Sequence, residues 1–113
     1  EALIEFGAGS THKEFTDISF GIVKDIFREC IDVRRICSSA LDLCYIADGR
    51  IDGYFEKVLK PWDIAAGSLI LSEAGGRISD FKGEAIQFEK PTSVIAGNGK
   101  INQRLQEIIG KWL

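Results

Sequence analysis

Strand-like and helix-like stretches alternate along most of this chain, which predicts an α/β fold, a mostly parallel sheet flanked by helices. Two further observations point the same way. The helical stretches carry apolar residues at three- and four-residue spacings, and glycine, serine or proline punctuates the changes of period. With 113 residues, 45% of them hydrophobic, the chain holds enough apolar material for a single domain with its own core.

Residues Ala2 to Phe6 read as a first strand, followed by the small-residue loop Gly7-Ala8-Gly9-Ser10-Thr11. That loop lacks the third glycine of G-x-G-x-x-G, which argues against a nucleotide-binding turn. From about Lys13, the residues Phe15, Ile18, Ile22, Val23, Ile26, Phe27 and Cys30 mark an amphipathic helix, with Gly21 as its weak point. Ile31 to Ile36 alternates as a second strand. Ser38 and Ser39 then offer an N-cap for a helix through Ala40, Leu41, Cys44 and Tyr45. Cys37 and Cys44, seven apart, are expected to share a face of that helix and to pack. Asp48-Gly49-Arg50 ends it in a turn, and Ile51 to Phe55 is a third strand with Glu56 at its exit.

The chain is organised around Lys60 to Gly76. Pro61 opens a helix, Asp63 sits in its first turn ahead of an apolar run, and Gly75-Gly76 closes it. Because this helix is apolar nearly all round, it is expected to be sandwiched between other layers. Ala65, Ala66, Gly67 and Ser68 are small enough to admit another backbone closely. Asp63 has two readings: a helix cap worth about 0.5–2 kcal/mol, or a carboxylate held at a cleft mouth to bind a divalent cation. Further on, Arg77 to Phe81 and Thr92 to Ala96 read as strands. Gly97-Asn98-Gly99-Lys100 lacks the spacing of a P-loop, and Ile101, Leu105, Ile108, Ile109 and Trp112 define a last amphipathic helix. In α/β folds ligands gather where strands end and helices begin. Gly7 to Thr11, Cys37 to Ser39 and Glu56 to Asp63 are those places here.

A net charge of −3, from 14 basic and 17 acidic residues well mixed, gives no electrostatic case for a nucleic-acid or anionic-membrane partner. No apolar run reaches the ~20 residues of a membrane span. The three cysteines, Cys30, Cys37 and Cys44, lack C-x-x-C spacing, so neither a disulfide framework nor a zinc site is expected, and reduced, cytoplasmic thiols are. The chain has no methionine, even at position 1, and opens directly on the strand-like Glu1-Ala2-Leu3-Ile4. It is therefore expected to be part of a longer protein.

The run W-D-I-A-A-G-S-L-I-L-S-E-A-G-G (62–76), taken with D-G-R-I-D-G-Y-F-E (48–56), closely resembles the C-terminal signature of the inositol monophosphatase family. These are magnesium-dependent, lithium-sensitive sugar-phosphate phosphatases. The resemblance implies that Asp63 is the carboxylate this half contributes to the Mg²⁺ sites and that Glu56 accepts hydrogen bonds from substrate hydroxyls. It implies a substrate-contacting turn at Cys37, Ser38 and Ser39, where the family commonly has Gly-Thr-Ala. Arg34 matches a recurrent arginine whose role is either structural or substrate-binding. The family's upstream Glu-Glu pair and D-P-[IL]-D-G-[TS] motif, which supply most metal ligands and the water-activating group, do not occur in these residues. The chain is thus expected to be the C-terminal half of a homodimeric phosphomonoesterase acting on inositol monophosphate or a related sugar phosphate, and inactive alone. Fructose bisphosphate and nucleotide phosphates are the alternative substrates. The alternative of another class is a non-catalytic binding or dimerisation module.

Overall fold

The computed structural model describes residues 2–8 and 12–113. Along the chain lie β1 (Leu3–Gly7), a short 3₁₀ turn (Lys13–Phe15) leading into α1 (Thr16–Phe27), β2 (Asp32–Arg34), α2 (Ser39–Ala47) and β3 (Gly53–Leu59). Then follow α3 (Pro61–Glu73), β4 (Arg77–Ser79), β5 (Thr92–Gly97) and α4 (Asn102–Gly110). Gly9, Ser10 and Thr11 of the small-residue loop lie outside the described residues.

The strands form one sheet in the order β2-β1-β3-β5-β4. Helical crossovers return β2 and β3 parallel to β1, whereas β5 runs antiparallel to both β3 and β4. The sheet is mixed, with β5 alone reversed among the described strands.

Alternation along the strands sends side chains to two faces. Ile4, Phe6, Phe55 and Ile95 pack with Ile22 and Ile26 of α1 and Leu105, Ile108 and Ile109 of α4. Tyr54, Val94 and Ala96 pack with Leu43 and Ile46 of α2 and Ile64 and Leu71 of α3. Gly21, the weak point of α1 by propensity, is where the Trp112 ring lies: a Cβ there would overlap it. Trp112 Nε1 donates to Asp25 at 2.9 Å, which fixes the chain end on α1.

Three expectations change. The helix α3 buries Ile64, Gly67, Ser68 and Leu71 but leaves Trp62, Leu69 and Ile70 exposed at 73%, 62% and 48%, because this chain covers only one of its faces. Its small residues do admit a close neighbour: a Cβ on Gly67 would lie 2.7 Å from Leu43 of α2. Cys37 lies ahead of α2, exposed, and does not share a helix face with Cys44. Glu56 sits inside β3, because that strand continues to Leu59 through an irregularity in its pairing with β5 between Glu56 and Leu59.

Candidate functional site

A cavity of about 480 Å³ opens where β3 passes into α3 beside the start of α2, lined by Cys37, Ser38, Ser39, Glu56 and Asp63. Every residue that sequence reasoning assigned to substrate or metal therefore meets in one place. Arg34 does not line it, but Arg35 does, a residue the sequence reading left aside.

Local chemistry builds each wall. Ser38 is extended, and its Oγ accepts the Leu41 N–H at 3.3 Å, which caps α2. Cys37 before it adopts φ 69°, the one left-handed non-glycine among the described residues, and this turns the chain into the helix. Ser39 Oγ donates to the backbone carbonyl of Asp63 at 3.2 Å, joining the start of α2 to the start of α3. The Asp63 carboxylate accepts the Lys60 N–H at 3.1 Å, so the capping role weighed from sequence is met in the structure.

Glu56 is held from two sides. The Tyr54 hydroxyl donates to its Oε1. On the neighbouring strand Gly7 stands opposite Glu56 in register, and a Cβ on Gly7 would overlap Oε1. Burial, and then the negative charge of Glu56, push the Tyr54 phenol far above its ordinary range, so it stays protonated and donates.

Beneath the cavity lie two buried acids that sequence reasoning missed. Glu5 is 0% and Asp42 1% exposed. Arg34 Nη2 reaches Glu5 Oε2 at 3.2 Å, which makes Arg34 a structural ion-pair partner. Counted as two carboxylates, Glu5 Oε1 and Asp42 Oδ1 would each be left without a donor. A proton on Asp42 resolves both: burial first, then the hydrogen bond to Glu5 and the charges of Glu5 and Glu56, push Asp42 up to about 9. The available signal was an acid set within an apolar strand and another within an apolar helix.

A larger hollow of about 780 Å³ lies away from this place, between β4 and α4. Its amides act as structural ties: Asn102 Nδ2 donates to the Arg77 carbonyl at 3.1 Å and Gln106 Nε2 to the Lys82 carbonyl at 3.1 Å. The smaller cavity is the one that gathers Glu56, Asp63, Ser38 and Ser39 at the starts of α2 and α3.

Among the described residues no group of three or more histidines, cysteines or acids comes together to hold a metal. The carboxylates at the cavity, Asp63 and Glu56, are hard oxygen donors of the kind Mg²⁺ takes. They fit a contribution to a site and not a closed cage.

The inositol monophosphatase family model matches residues 3–111. The chain belongs to the inositol monophosphatase family. Among its relatives, the Nus factor SuhB of Escherichia coli K12 is 46% identical over 89 residues, which are 79% of this chain and 33% of that protein. The extragenic suppressor protein suhB of Bartonella henselae superposes with a TM-score of 0.90 at 34% identity, over 100% of this chain and 43% of that one. The Staphylococcus aureus inositol monophosphatase-II gives 0.82 at 29% identity, over 94% and 40%, and SaIMPase-II has been solved with inositol monophosphate and with 2'AMP bound. The chain spans a third to under a half of the length of these proteins.

Proposed function

We propose that this chain is the C-terminal part of a magnesium-dependent phosphomonoesterase that hydrolyses inositol monophosphate or a related sugar phosphate. The observation that carries this reading is the convergence of Glu56, Asp63 and the Cys37–Ser39 turn on one cavity. Phosphoryl transfer needs concentrated positive charge at the phosphate and a fixed seat for the rest of the substrate. Mg²⁺, when bound, supplies that charge, and Asp63 is the residue of this chain that would hold it. The Lys60 N–H orients the Asp63 carboxylate, and the Ser39 bond to the Asp63 carbonyl keeps α3 beside the substrate turn. Glu56 accepts a substrate hydroxyl, which suits a polyhydroxylated ester. Fructose bisphosphate and nucleotide phosphates belong to the same class of reading, and the 2'AMP held by SaIMPase-II favours keeping nucleotides among the substrates tested. The parent is proposed to be a lithium-sensitive, cytoplasmic homodimer.

The test is phosphate release from inositol monophosphate by the full-length protein, with and without Mg²⁺. Asp63→Asn is expected to lower turnover by about a hundredfold or more, since charge stabilisation by a metal supplies several kcal/mol. Residues 1–113 alone are expected to release no phosphate above an Asp63→Asn control. Turnover by the isolated chain would move the chemistry into these residues and overturn this reading.

A second reading, a non-catalytic binding or assembly module, is favoured by the name Nus factor borne by relatives 46% identical to this chain. Under it, Asp63→Asn in the full-length protein leaves cellular function intact while abolishing any hydrolysis. Loss of both together would sink it.

A further inference from the structure

We infer that Tyr54 and Gly7 are positioning residues for Glu56, setting its carboxylate to receive a hydroxyl of the substrate; this rests on the phosphatase reading above. The pairing registers place Arg34, Glu5 and Tyr54 side by side across β2, β1 and β3, with Gly7 and Glu56 as the next pair on β1 and β3. Residues two apart on a strand share a face, so Glu5, Gly7, Tyr54 and Glu56 all look toward α2 and α3. Along this row the acceptors are allotted. Glu5 is engaged by Arg34 through Oε2 and by Asp42, which leaves the single proton of the fully buried Tyr54 hydroxyl to Glu56 Oε1. Gly7 provides the room: any side chain there would occupy the place of that oxygen.

The row thus does two things at once. It holds one oxygen of Glu56 by the Tyr54 hydroxyl, and it seats the carboxylate over Gly7 of β1, where a side chain would collide with it. A carboxylate fixed before the ligand arrives loses less freedom on binding, and the gain appears as affinity for the group it receives. Tyr54 does not line the cavity itself, so it acts on the substrate only through Glu56, the acid proposed to receive the hydroxylated part.

The experiment compares inositol monophosphate with p-nitrophenyl phosphate, an ester without ring hydroxyls, as substrates of the full-length protein. Tyr54→Phe is expected to raise KM for inositol monophosphate about tenfold, the size of one hydrogen bond to a charged group, with kcat within about twofold. KM for p-nitrophenyl phosphate stays unchanged. Gly7→Ala gives the same split, and Tyr54→Phe added to Glu56→Gln adds nothing further, because both act through one carboxylate. Equal changes on both esters, or additive effects in the double variant, overturn the inference, and thermal melts of each variant separate these results from loss of folding. An unsubstituted protein that hydrolyses neither ester defeats the phosphatase reading and this inference with it. Normal unsubstituted activity with no KM split defeats this inference alone.

Discussion

The two faces of the sheet are built on opposite plans. The face under α1 and α4 is closed and, apart from Ser19, apolar, with Ile22 and Ile109 wholly buried among Ile4, Phe55 and Ile95. The face under α2 and α3 buries Glu5, Asp42 and the Tyr54 hydroxyl, opens into the cavity at Glu56 and Asp63, and carries Trp62, Leu69 and Ile70 uncovered on its outer helix. Buried polar groups cost stability unless every partner is in place. One sheet therefore carries an apolar core on both sides and a site on only one of them. The contrast also explains why both cores persist in so short a chain: the polar row of Arg34, Glu5 and Tyr54 lies on a single face and leaves the other untouched.

The comparison can be broken most forcefully on the apolar side. Ile22→Ala removes a fully buried side chain from between α1 and the sheet and is expected to cost about 2–5 kcal/mol in urea unfolding. The cavity lies on the other face, so any ligand affinity of the folded fraction is unchanged. If ligand affinity falls together with stability, the two faces are not independent.

Next in size is pH. Asp42 binds its proton more tightly in the folded chain, up to about 9 against an ordinary value of 3.8, so unfolding releases that proton throughout the interval. The stability it contributes is complete below pH ~4, declines as pH rises, and is gone above about 9. Thermal melts between pH 5 and pH 8.5 should show the native chain losing stability and Asp42→Asn losing less, because an amide donates to Glu5 without a proton to lose. Parallel pH profiles for the two chains would remove the shared proton from the account.

The smallest effect belongs to the outer helix. Leu69→Gln, at a side chain 62% exposed, should change unfolding by no more than about 0.5 kcal/mol. The same measurement on Leu71→Gln, buried on the inner side of α3, should give several times that loss. Equal costs would mean that α3 is covered on both sides.

Most elements were legible because apolar spacing of two or of three and four is set by backbone geometry alone. The convergence of Glu56, Asp63 and Cys37–Ser39 was legible through the family resemblance and through the rule that sites gather at strand ends. What escaped notice depends on distance along the chain. Glu5 and Asp42 are far apart in sequence, and only the packing of α2 against the sheet makes them one proton-sharing pair. Tyr54 looked like one more aromatic strand residue, since its bond to Glu56 follows from β3 running on past Phe55. The exposure of Leu69 and Ile70 was illegible for another reason: a helix apolar on all sides reads the same whichever neighbour is present.

The position of β5 carries a consequence for how the chain comes together. β4 pairs with β5 and not with β3, although β3, α3 and β4 follow one another directly. Among the described strands β4 has β5 as its one neighbour in the sheet, so its place in the sheet depends on a strand that follows both β3 and β4. Thr92–Gly97 takes the place between them, so among the described strands the last along the chain is an inner one.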